Sequence, residues 1–109
     1  MSKLYIVPTP IGNLKDITIR ALDVLKECNV IAAEDTRQTI KLLNHFNIKK
    51  QLISYHQHNE LTKSEEIINR VKGGEIVALV SDAGSPGISD PGSVIIKRCI
   101  EEEVEFEVL

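Results

Sequence analysis

The sequence predicts an α/β fold: an open, mainly parallel five-stranded sheet with helices on both faces, in three layers. Three observations predict it. Short apolar β-type runs alternate with helical apolar patterns along all 109 residues. The strongest strand signal, Ile76–Val80 (IVALV), is a continuous apolar run, as expected of a parallel strand buried on both faces. Gly- and Pro-rich stretches fall directly after strands, where crossover loops of a parallel sheet must lie.

The elements follow in order. Leu4–Pro8 (LYIVP) is a short β-type run. Asp16 reads as the cap of a helical pattern through Cys28, with Ile17, Ala21, Val24, Leu25 and Cys28 on one face. Val30–Ala33 reads as a second strand. A helix from about Thr36 to Phe46 would turn Ile40, Leu43 and Phe46 inward. Leu52–Tyr55 is a third strand. Glu60 to Lys72 is a helix with Leu61, Ile68 and Val71 inward, ended by Gly73-Gly74 as a left-handed cap. After Ile76–Val80, Asp90-Pro91 opens a fourth helix running to about Glu102. Val104–Leu109 alternates and reads as a fifth strand. The chain closes on this strand without a polar tail, which predicts that the natural protein continues.

Composition narrows the class. The hydrophobic fraction of 42% and charged fraction of 27% fit one globular domain. No apolar run approaches the roughly 20 residues of a membrane span, so a cytoplasmic protein without membrane association is expected. Cys28 and Cys99 sit in apolar helical stretches and read as small buried hydrophobes. The formal net charge of −3 argues against a domain that grips nucleic acid by itself. Residues 101–107 carry five Glu and no base and read as a solvated helix end.

Ligands of open α/β sheets bind beyond the carboxyl ends of the strands, where strand order reverses. Two loops qualify: Thr9–Asn13 after the first strand, and Ser81–Gly92 after the fourth. First and fourth strands are commonly neighbours, so both loops would share one crevice. The second loop carries three glycines, two prolines and two aspartates, suited to close backbone approach and to holding hydroxyl or amino groups. The plain reading is a long turn with a helix cap, and the binding reading is preferred because functional loops concentrate at this edge. No G-x-G-x-x-G follows the first strand and no G-K-[ST] occurs, which points to a cofactor without phosphates.

Glu34-Asp35-Thr36-Arg37 closes the second strand. The acids either hold a ribose or cap the next helix. Arg37 faces an anionic substrate or solvent. Tyr55-His56-Gln57-His58-Asn59 follows the third strand. Two His without a third ligand do not make a metal site, so contact with substrate at the rim is the functional reading and an ordinary exposed loop the plain one. His45 lies late in its helix, where an imidazole suits the carboxyl end.

The stretches IVPTPIGNLKDIT, IAAEDTR, SYHQHNE and LVSDAGSPGISDPG, in this order, resemble the RsmI family of ribosomal RNA small-subunit (cytidine-2′-O) methyltransferases, within the tetrapyrrole methylase superfamily. The resemblance spans essentially the whole chain; Gly87 departs from it, where a larger apolar residue is expected. It implies two α/β domains, of which residues 1–109 are the N-terminal, cofactor-binding one, the C-terminal domain being absent. S-adenosyl-L-methionine would lie between the domains, so the fragment alone should bind it weakly and catalyse nothing. Carried onto matching positions, the implied cofactor residues are Pro10, Ser81, Asp82, Ala83, Gly84 and Ser85. Asn13, Arg37 and His56 would face the RNA, with Glu34 and Asp35 as candidate catalytic acids and no metal. The implied substrate is ribosomal RNA in the small ribosomal subunit. The sequence does not fix the oligomeric state, and a homodimer is among those it allows. The alternatives are a tetrapyrrole (porphyrin-type) methyltransferase domain and a non-enzymatic α/β ligand-binding module.

Overall fold

The computed structural model describes residues 2–10, 14–56, 58–82 and 92–109; for Asp82 and Gly92 it describes the backbone alone. The described elements are β1 (Lys3–Thr9), a 3-10 turn (Leu14–Asp16), α1 (Ile19–Glu27), β2 (Val30–Ala33), α2 (Thr36–His45), β3 (Gln51–Ser54), α3 (Glu60–Lys72), β4 (Ile76–Asp82), α4 (Gly92–Glu101) and β5 (Phe106–Val108). The strand order is β3-β2-β4-β1-β5, and every pairing is parallel. The expected fold class is therefore observed.

Alternation along the strands sends side chains to two cores. Val7, Ile31, Ala33, Ala78 and Val80 pack with Ala21, Val24 and Leu25 of α1 and with Leu42 and Leu43 of α2. Leu4, Ile6, Val30, Ala32, Val77 and Leu79 pack with Ile67, Ile68 and Val71 of α3 and with Ile95 and Cys99 of α4. The β1→β2 and β2→β3 crossovers move one way across the sheet with their helices on the first face. The next two move the opposite way with helices on the second. All four thus share one hand, as the crossover rule demands.

Several local expectations are corrected. The α1 cap is Thr18, whose hydroxyl accepts the Ala21 amide at 3.0 Å; Asp16 belongs instead to the 3-10 turn. Ile40 is 46% exposed, because the inward face of α2 is Thr39, Leu42 and Leu43. Thr39 tolerates burial because its hydroxyl donates to the Asp35 carbonyl at 3.0 Å. Leu61 is 75% exposed; Ser64 takes the buried position one turn later, hydrogen-bonded to the Tyr55 hydroxyl at 2.8 Å. The start of α4 at Asp90-Pro91 lies outside the described residues.

The glutamate run is not simply solvated. Glu107 accepts from Lys3 Nζ at 2.8 Å and from Arg20 Nη2 at 2.7 Å, so β5 is tied to β1 and α1. Glu102 pairs with Lys72, and Arg98 forks onto Glu65 at 2.6 and 2.8 Å, joining α4 to α3. These hydrogen bonds from Lys and Arg hold the Glu65, Glu102 and Glu107 carboxyls below the usual carboxylate range. At the amino ends of the strands Asn29 joins β2 to β4 by exchanging two bonds with Ile76, each 2.8 Å.

Two expected outcomes follow from this packing. Gly74 adopts φ +102° just past the end of α3, with open space around its absent Cβ. Strain alone should make Gly74→Ala cost about 1–2 kcal/mol in urea unfolding. Gly73, at φ −79°, should tolerate the same change better. Burial pushes the thiols of Cys28 and Cys99 up to about 11. A thiol-reactive chromophore should therefore label neither at neutral pH until the protein unfolds; fast labelling of the native protein would contradict the packing.

Candidate active site at the carboxyl edge of the sheet

Because all five strands run parallel, their carboxyl ends share one edge. The register sets what meets there. Pro8 is opposite Ser81 and Thr9 is opposite Asp82. The Thr9 hydroxyl donates to the Ser81 carbonyl at 3.1 Å, closing the β1–β4 seam at its top. Pro10, half-buried, follows at once. α1 and α4 cover opposite faces, the arrangement in which doubly wound sheets place a ligand crevice between two such strands. The two loop origins are thus brought together as expected. Asn13, Ala83, Gly84, Ser85 and Gly87 lie outside the described residues.

Next to β4, Ala33 ends β2 level with Val80, so Glu34 stands beside Ser81 at the rim. Glu34 is exposed, and its carboxylate has no hydrogen bond or ion pair among the described residues. Asp35 turns out to cap α2: its Oδ1 accepts the Arg37 and Gln38 amides at 3.1 and 3.2 Å. The choice between ligand and cap that the sequence left open is therefore settled for that oxygen. Arg37 is exposed in the first turn of α2.

The β3 end is organised by a residue that sequence reasoning passed over. Asn59 precedes α3 in the cap position, yet its side chain makes no capping bond. It turns back instead. Its Oδ1 accepts the His56 amide at 2.8 Å, and its Nδ2 donates to the Ser54 carbonyl at 3.3 Å and hydroxyl at 3.2 Å. The His58 amide donates to His56 Nδ1 at 3.2 Å, so that nitrogen carries no proton and Nε2 carries one. The rings of His56 and His58 are 5.8 Å apart. Beneath them Tyr55 is fully buried. The sequence signal for this turn was Asn directly before a helical run, which ordinarily means a cap. Among the described residues, no three His, Cys, Asp or Glu converge as metal ligands.

Along the rim the order is thus His56, Glu34, Ser81–Asp82, Pro10. With strands ~4.8 Å apart, this row covers roughly 15 Å, the scale of a nucleoside with its substrate. Its chemistry is carbonyls, hydroxyls and acids. Such a set favours hydroxyls, amino groups and cations over a pyrophosphate, which calls for amide nests and bases.

The chain is thus an open parallel α/β domain of the doubly wound kind. Residues 3–109 match the family of Tetrapyrrole (Corrin/Porphyrin) Methylases, and the chain belongs to that family. It is 55% identical over 108 residues to the ribosomal RNA small subunit methyltransferase I of Hydrogenobaculum sp., covering 98% of this chain and 47% of that protein. It is 57% identical over 97 residues to the protein of the same name from Bacillus subtilis, covering 89% of this chain and 33% of that one. The resemblance drawn from the four sequence stretches is thereby borne out. The fold matches the crystal structure of uroporphyrin-III-C-methyltransferase from Thermus thermophilus with a TM-score of 0.79, at 19% identity, over 99% of this chain and 46% of that one. The chain spans about a third to a half of the length of these curated relatives.

The cap makes a prediction separable from any catalytic role. Asp35→Ala should lower stability by about 1 kcal/mol, whereas Asp35→Asn, an equally good cap, should cost no more than a few tenths. Equal loss in both variants, measured by urea unfolding, would mean that the carboxylate charge and not the cap matters.

Proposed function

We propose that this chain is the N-terminal, cofactor-binding domain of a two-domain S-adenosyl-L-methionine-dependent methyltransferase. Its substrate would be the 2′-hydroxyl of a cytidine in 16S ribosomal RNA of the small ribosomal subunit, and it would work in the cytoplasm. The observation that carries the reading is the register of β1 on β4. It sets Pro10 and the Ser81–Asp82 strand end side by side at one crevice. The names of the relatives at 51–57% identity favour RNA over a tetrapyrrole as substrate. Among the described residues, no helix is long and apolar enough to cross a membrane.

The rim residues fit such a cofactor. Carbonyls at the ends of β1 and β4, with Glu34 after β2, suit its ribose hydroxyls, its amino group and its positive sulfur, and none of these needs a phosphate nest. When bound, S-adenosyl-L-methionine supplies an electrophilic methyl group on a sulfonium. The chain must then hold the 2′-oxygen in line with it and accept the hydroxyl proton. Glu34 is the better placed acceptor. Its carboxylate is exposed beside β4 and unengaged among the described residues, whereas Asp35 already spends one oxygen on the α2 cap. His56, held by Asn59 and with no partner at Nε2 among the described residues, suits a phosphate or base oxygen of the RNA.

The test is transfer of labelled methyl to isolated 30S subunits by the full-length protein. Glu34→Gln should lower turnover about 10²-fold or more with cofactor affinity unchanged, and Asp35→Asn should lower it less. Wild-type turnover in both variants would remove these acids from the chemistry. Binding of S-adenosylhomocysteine without any transfer would favour a ligand-binding module.

A further inference from the structure

The charge of this chain is sharply segregated. Residues 36–59 contain Arg37, Lys41, Lys49, Lys50 and all three histidines, and no Asp or Glu. Every other residue together holds nine bases and sixteen acids. A segment of +4 thus stands against a remainder of −7, and the overall −3 conceals it.

The fold gathers that segment onto one flank. It comprises α2, the edge strand β3 and their connections, at the end of the strand order remote from β5. Arg37, Lys41 and His45 recur every fourth residue, so they share one face of α2, and all three are exposed. That stripe runs about 12 Å from the rim toward the opposite edge. There exposed Lys49 and half-buried Lys50 extend it.

Six of the nine bases elsewhere, Lys3, Arg20, Lys63, Arg70, Lys72 and Arg98, pair with carboxylates. Among the described residues, none of Arg37, Lys41, Lys49 or Lys50 has a carboxylate within ion-pair distance. Cations left without internal partners on an acid-free flank fit an external polyanion. Between α2 and β3 the same flank carries an apolar groove of about 280 Å³, floored by Ile40, Leu43, Ile48 and Leu52 and edged by Lys49 and Lys50. It gives the partly exposed Ile40 a counterpart: the apolar face of a base lying beside its phosphates.

We propose that the α2–β3 flank is the docking surface for the phosphodiester backbone of the substrate RNA, leading it to the rim at Arg37, Glu34 and His56. The inference rests on the RNA substrate proposed above. It assigns the electrostatic work to Lys41, Lys49 and Lys50, which lie away from the reacting centre.

The experiment is fluorescence anisotropy of a labelled single-stranded RNA against the full-length protein across a salt series. In the combined Lys41→Ala, Lys49→Ala and Lys50→Ala variant, affinity at 0.1 M salt should fall roughly tenfold to a hundredfold. The slope of log affinity against log salt should shrink by about 2. A control changing Lys26 and Lys97, exposed cations outside the flank, should behave as wild type. Unchanged affinity and slope in the triple variant, or equal loss in the control, overturns the proposal, as does failure of the wild type to bind RNA. Methyl transfer to 30S subunits separates this from the enzymatic reading. RNA binding through the flank without transfer upholds the docking surface and removes the enzyme. Transfer with an unchanged KM in the triple variant removes the docking surface alone.

Discussion

The molecule depends on the parallel pairing of β1 with β4. Seven consecutive residue pairs, from Lys3 opposite Ile76 to Thr9 opposite Asp82, join the first and fourth strands at the centre of the sheet. Both strands are buried on two faces, so a slip of β1 by one residue would exchange its side chains between the two cores. Leu4 and Ile6 would then face α1 and α2, and Val7 would face α3 and α4. The same register that satisfies the cores fixes which residues emerge together at the rim. Packing and site geometry are set by one constraint.

Around that seam the sheet divides its labour. The β5 side is held by ion pairs: the late glutamates fasten β5 to β1 and α1, and α4 to α3. On the β3 side, the described basic residues of α2 and the loop after it keep their charges outward. Single surface ion pairs add little stability, so the contrast speaks more to where partners can approach than to how firmly the fold holds. Acids gathered on one side and cations on the other also orient a polyanion before contact, since like charge repels it from the first and draws it to the second.

Much of this was legible in the sequence. The IVALV run announced a strand buried on both faces, and the Gly- and Pro-bearing stretches after β1 and β4 marked where a crevice would open. Phase was harder to read. Apolar character points Ile40 and Leu61 inward, yet Thr39 and Ser64 hold the buried positions. Their hydroxyls are satisfied by the Asp35 carbonyl and the Tyr55 hydroxyl, partners that only folding supplies. Asn59 stands in the cap position before α3 yet clasps His56, because a side chain at a strand–helix junction can turn either way. The basic flank escaped notice because net charge averages over a chain, and a segment of four bases disappears within sixteen acids.

The proposed function requires the carboxyl edge at β1 and β4 to form one wall of a sulfonium-nucleoside site. Titration of this chain with S-adenosylhomocysteine, followed by amide chemical-shift mapping, tests it directly, since weak binding suffices. Perturbations are expected to concentrate at Thr9, Ser81 and Asp82 and to fade toward Asn29 and Gly73–Glu75 at the far edge. Shifts centred on that far edge, or on the outer surfaces of α3 and α4, would contradict it.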